Sequence, residues 1–184
     1  MNYAMGLEHR KAILESLPEK GKMLEWGSGG STVWFSENMK STQKLVSIEH
    51  NINWHIKVKS AIKNPNIILY HIPATDIVGK NSSPGEELPV GLADYIWQPY
   101  NLDHFNVILV DGVARNMCLA VAKLILKTGG IVFLHDSQRS WYEAGKRFFE
   151  KVKVLESCND YPGPELWMGQ LCFTDTLKAG QGCR

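Results

Sequence analysis

The sequence is poor in cysteine, in long apolar runs and in charge of either sign, and each shortage excludes something. Its 184 residues hold four cysteines, Cys118, Cys158, Cys172 and Cys183, with no CxxC pair among them. Such spacing argues against a zinc site and a disulfide framework, and it suits reduced thiols in a cytoplasmic protein. The N-terminal stretch is interrupted by Glu8, His9, Arg10 and Lys11, so it does not read as a signal peptide. No later apolar stretch is long enough to span a bilayer. Twenty Lys and Arg stand against nineteen Asp and Glu, a formal net charge of +1. No bulk field favours nucleic acid or a membrane surface, and neither is expected as a partner. Internal repeats and low-complexity segments are also lacking.

What remains is ordinary globular composition, 44% hydrophobic and 21% charged, in a chain long enough to bury its own core. One domain is expected over residues 1–174, followed by a patternless tail, 175–184, expected to be disordered. Assembly into a homo-oligomer is compatible with this composition.

The most informative segment is Lys22-Met23-Leu24-Glu25-Trp26-Gly27-Ser28-Gly29-Gly30-Ser31-Thr32. An apolar run ends on an acid, passes through three glycines and meets two hydroxyl residues ahead of Val33-Trp34-Phe35. This pattern predicts a strand, a tight turn and the start of a helix. Glycine permits positive φ and close approach of a ligand to the main chain, and the free N–H groups of a helix start point into the turn. Such a turn binds part of a nucleotide-like cofactor.

Along the chain, helical and extended patterns alternate. Helices are expected over residues 7–17, 32–39, the stretch carrying Trp54, Val58, Ala61 and Ile62, 114–127 and 140–152. The third of these ends at Pro65. The fourth closes on Thr128-Gly129-Gly130, and the last opens on a Ser140/Glu143 capping box. Strands are expected around 23–24 and over 44–49, 66–71, 105–111, 131–135, 154–156 and 165–174. Residues 79–89 read as a loop, and Tyr95, Trp97 and Tyr100 lie in an aromatic segment without clean periodicity. Alternation of this kind describes an α/β fold, a mostly parallel sheet with helices on both faces. Right-handed crossovers gather the C-terminal ends of the strands on one edge, where Glu25, Glu49, Asp76, Asp111, His135 and Asp136 meet.

Glu49 closes the second strand, 24 residues after Glu25. An acid there suits the ribose diol that both NAD and S-adenosylmethionine carry. Glu25 beside the turn would repel a pyrophosphate but favours the cationic methyl donor. A nicotinamide-dependent oxidoreductase and a non-catalytic binding module are the alternatives.

Leu24 to Ser31 resembles motif I of the class I S-adenosylmethionine-dependent methyltransferases, and Val46-Ser47-Ile48-Glu49-His50 resembles their second-strand acid. Residues 105–112 and 129–136 are similar to their fourth and fifth strands. The resemblance implies a Rossmann-like seven-stranded sheet with an antiparallel last strand. It places Gly27, Gly29 and Glu25 at the methionine part of the cofactor and Glu49 at the ribose, with Ser28, Ser31 and His50 also expected to bind the cofactor. Ala74, Thr75 and Asp76 would lie near the adenine, with Asp111 also within reach. Ser31 stands where the motif has its third glycine.

Transfer to a hydroxyl needs a group to take its proton. Asp111, His135 and Asp136 are the candidates, with Arg115 and Arg139 close by to hold an anionic acceptor. A likeness to the catechol-type O-methyltransferases implies a divalent metal on Asp111 and Asp136, although Ser137 replaces their usual Asn. A shorter likeness to the glucuronic-acid O-methyltransferases points to sugars. A small molecule or sugar methylated at oxygen is therefore the expected acceptor. Helix capping by Asp136, a backbone role for Asp111 and a purely structural His135 stand beside these roles.

Overall fold

The computed structural model describes residues 5–74, 91–156 and 164–171. The sequence expectations for Thr75 and Asp76, the loop 79–89, the tail 175–184 and Cys158, Cys172 and Cys183 lie outside them. In chain order the described elements are α1 (Leu7–Glu15), β1 (Lys22–Trp26), α2 (Gly30–Asn38), β2 (Lys44–Glu49), α3 (Ile52–Ala61) and β3 (Ile67–His71). There follow α4 (Ala93–Trp97), β4 (Phe105–Val110), α5 (Arg115–Ile125), β5 (Leu126–His135), α6 (Glu143–Lys146), β6 (Glu150–Leu155) and β7 (Leu166–Gln170).

Period-two alternation in the strands builds two cores, one on each face of the sheet. Leu24 and Trp26, Val46 and Ile48, Ile108 and Val110, and Val132 and Leu134 face a layer containing Tyr95, Leu119 and Ile125. Met23, Leu45, Val107, Leu109 and Phe133 face the other way, against Ile13, Leu17, Phe35 and Met39. Central strands apolar on both sides are what a doubly covered parallel sheet requires.

The seven strands run in the order β3-β2-β1-β4-β5-β7-β6. β3, β2, β1, β4 and β5 pair in parallel, whereas β7 is antiparallel to both β5 and β6. The expected antiparallel last strand is present, inserted between β5 and β6. This insertion separates the sheet from the 3-2-1-4-5-6 order of dinucleotide-binding folds. Strand order reverses between β1 and β4, the switch point outside which open α/β sheets bind their ligands.

Three local expectations are corrected. The helix expected over 140–152 is a 3-10 turn, Ser140–Tyr142, and the four-residue α6, after which the chain becomes β6. Val152 and Val154 are β-branched and fit the sheet edge better than a helix interior. The Ser140/Glu143 capping box does not form, and Glu143 instead pairs with Lys146. In this stretch Phe149 is buried, whereas Trp141 and Phe148 are exposed. Finally, Thr128-Gly129-Gly130 is no helix stop. Leu126 already pairs with Phe105, and the glycines occupy a register shift within β5, with Gly129 at φ +76°. Among the described residues, no helix is long and apolar enough to cross a membrane.

Candidate active site

Gly27 leaves β1 at φ +93°, a backbone conformation that an L side chain rarely adopts. A Cβ there would stand 2.5 Å from the backbone of Gly112, and one at Gly112 would stand 2.0 Å from the Tyr95 hydroxyl. The loops after β1 and β4 therefore touch glycine to glycine. Gly29 is different. Its φ of −169° is extended, and a Cβ would meet only the Trp54 indole, at 3.7 Å.

Glu25 does not reach the crevice. It is fully buried beneath the loop, where Ser31 donates to Oε1 and both Thr32 and Ser47 donate to Oε2, each at 2.6 Å. Ser28 and Ser47 share a further hydroxyl bond of 2.7 Å, and the Gly29 amide donates to Thr32 Oγ1. Burial pushes the Glu25 carboxyl up to about 7, against the pull of these hydroxyls. Glu25, expected from the sequence at the cofactor, is not among the residues that line the cavity and anchors the turn from below. Ser31, in place of the third glycine, supplies one of its three donors.

Above the turn lies a cavity of about 830 Å³, within the range of small-molecule sites. The structure brings Gly27, Ser28, Gly29, Ser31, Glu49, His50, Asp111, Arg115, His135, Asp136 and Arg139 together around it. Ala74 is not among its walls and packs against the core. Glu49 is buried, its Oε1 accepts the Asn51 amide at 2.7 Å, and His50 Nδ1 lies 3.1 Å away without hydrogen-bond alignment. Asn51, Trp54, Lys57, Gly112, Tyr142 and Met5 also line the cavity and were not singled out from the sequence. Trp54 shares its helical spacing with the buried Val58 of α3. It is instead partly exposed and donates its indole N–H to the Ser28 carbonyl.

The far end of the cavity is a charge cluster. His135 Nδ1 lies 2.9 Å from Asp111 Oδ1, a hydrogen bond that puts the Nδ1 proton toward the carboxylate. Arg115 donates to the carbonyls of Asp111, Gly112 and His135, tying the ends of β4 and β5 together. Its guanidinium also lies 3.4 Å from Asp111 Oδ1 and 3.5 Å from Asp136 Oδ2. Arg139 pairs with Asp136 at 3.0 Å. Asp136 itself stands at φ +54°, the kind of local strain that concentrates at functional sites. Arg115 is thus a structural clamp, and Arg139 is the more exposed cation.

The glycine contact, the first-turn amides of α2 and the Glu49 carboxylate fit S-adenosylmethionine, whose ribose diol and α-carboxylate need such partners. A divalent cation fits poorly. Ligand atoms of Asp111, His135 and Asp136 lie within 4.8 Å of one another, but two guanidiniums already neutralise these carboxylates. Ser137 turns away to Glu165.

The sequence matches no protein-family model and no curated protein. Solved structures do match. A methyltransferase-like protein from Silicibacter pomeroyi superposes with a TM-score of 0.66 at 20% identity, over 97% of this chain and 94% of that one. An O-methyltransferase from Bacillus cereus, solved in complex with SAH, gives 0.60 at 14% identity over 89% and 79%. The M1A22 tRNA methyltransferase TrmK from B. subtilis gives 0.57 at 13% identity over 98% and 72%. The chain has the fold of the class I S-adenosylmethionine-dependent methyltransferases.

Proposed function

We propose that this chain is an S-adenosylmethionine-dependent methyltransferase that methylates a hydroxyl of a small molecule or sugar, without a divalent metal. The observation that carries this reading is the convergence of the Gly27–Gly112 contact, Glu49 and Asp111 on one cavity. The antiparallel insertion of β7 supports it over a nicotinamide-dependent oxidoreductase. The buried thiol of Cys118, which faces the Val113 carbonyl, suits the reducing cytoplasm.

When bound, the cofactor supplies a methyl group on a sulfonium, open to in-line attack by an acceptor oxygen. Glu49 receives the ribose hydroxyls, and the loop glycines let the backbone come close. Asp111 takes the acceptor proton. Its Oδ1 is engaged by His135 and Arg115, while its Oδ2 has no hydrogen bond or ion pair among the described residues. His135 Nε2 is closed to solvent, so His135 serves by orienting Asp111. Arg139 and Asp136 border the acceptor.

RNA is the rival acceptor, raised by the TrmK likeness. The cavity lining carries Lys57, Arg115 and Arg139 against Glu49, Asp111 and Asp136, three charges of each sign, and this balance does not favour a phosphate backbone. The test is transfer of a labelled methyl group to hydroxylated small molecules and sugars, amines and tRNA transcripts, each with and without chelator. Label should enter the hydroxyl panel, unaffected by chelator, and Asp111→Asn should lower kcat by about 10²–10⁴-fold. Transfer to RNA alone, or its loss in chelator, would overturn the reading.

A further inference from the structure

We propose that His9 is a positioning residue for this site, holding with His135 a buried water that caps the His135 Nε2 lone pair and so keeps the imidazole proton on Nδ1, toward Asp111. The inference rests on the reading of Asp111 as the proton acceptor. What carries it is a set of unpartnered buried nitrogens in one place. His9 on α1 and His135 at the end of β5 are both buried, and their rings meet edge to face, centroids 6.0 Å apart and planes at 76°. Nε2 of His135 has no hydrogen-bond partner, and neither nitrogen of His9 makes a hydrogen bond of good geometry.

Buried polar atoms are bonded in the great majority of cases, and each exception calls for a water, an ion or a role. A neutral imidazole offers one donor and one acceptor. With Nδ1 given to Asp111, His135 has one lone pair left over, at Nε2. Rings this far apart cannot form a direct N–H···N bond. One water between them can donate one hydrogen to Nε2 of His135 and the other to the lone pair of His9, within the usual valence of a buried water. The single N–H of His9 is directed to the backbone of Leu155 and Glu156.

The consequence falls on Asp111. A histidine's tautomer is set by the hydrogen bond its other nitrogen makes. Were the proton on Nε2, the Nδ1 lone pair would face the Asp111 carboxylate, and the 2.9 Å bond could not form. The other charged groups around the pair are Arg115, Asp136 and, on α1, Glu8. None of them bonds Nε2. His9 borders no part of the cavity, so it acts only through His135.

The test is imidazole ¹⁵N spectroscopy at one fixed pH on the full chain, wild type against His9→Phe and His9→Gln. The wild-type Nε2 resonance of His135 should fall at the position of a hydrogen-bonded lone pair. It should shift toward the free value in His9→Phe and return in His9→Gln, whose amide restores a polar partner for the water. An Nε2 resonance identical in wild type and His9→Phe would overturn the proposal. If His9→Phe does not fold, a wild-type crystal structure decides, since no ordered water between the two rings would equally overturn it. Calorimetry with S-adenosylhomocysteine separates the two readings: failure to bind it defeats the methyltransferase assignment and leaves the ¹⁵N result standing.

Discussion

Glu25 and Glu49 end adjacent parallel strands, yet the fold uses them in opposite ways. Glu49 lines the cavity, while Glu25 is sealed beneath the glycine turn with three hydroxyl donors. A carboxyl raised from 4.5 to about 7 by burial binds a proton more tightly folded than unfolded. Between those two values the folded state holds more protons, so this group makes stability fall as pH rises through the window, and flat above it. The whole effect is on the order of 3 kcal/mol. Glu25→Gln has no such carboxyl, so the gap in denaturant midpoint between wild type and variant should move toward the variant from pH 4.5 to pH 7. A gap independent of pH would show that Glu25 is ionised throughout.

That two acids should stand near a cofactor turn was legible in the sequence, because strand ends and glycines are local patterns. Which acid faces the ligand was not. It depends on Ser47, a residue on a neighbouring strand that reads from sequence as a strand interior. His9 escaped for the same reason: its neighbour His135 lies at the far end of the chain, and nothing in the first helix announces it.

At the level of elements, the site depends on loops that meet rather than on any one helix. A Cβ at Gly27 would drive into the Gly112 backbone, and one at Gly112 into the Tyr95 hydroxyl. Gly27→Ala should destabilise the chain by about 2 kcal/mol or more from the φ penalty alone, with weakened S-adenosylhomocysteine binding, read by thermal unfolding and calorimetry. An unchanged melting temperature would mean that the loop relaxes freely. Helix and strand identities were legible wherever period 3.6 or period 2 ran unbroken, as in β2 and α5. The failure at 140–152 came where a capping pattern suggested a helix start and tertiary pairing with β7 claimed the later residues for a strand.

Across the whole molecule, strand order carries the assignment further than any motif. Five parallel strands put the ends of β1, β2, β4 and β5 on one edge, and the antiparallel β7 distinguishes this sheet from dinucleotide-binding folds. The alternation along the sequence foreshadowed the sheet but could not by itself fix the position of β7, which is a matter of which edge remains open. The fold brings Glu49 and Asp111 to one cavity from opposite sides of the switch point between β1 and β4. Calorimetric titration of the protein with S-adenosylhomocysteine and, separately, with NAD tests the central claim most directly. Saturable binding of S-adenosylhomocysteine, weakened at least tenfold (about 1.4 kcal/mol) by Glu49→Ala, with none of NAD, is the predicted result; binding of NAD instead, or an affinity indifferent to Glu49→Ala, would contradict it.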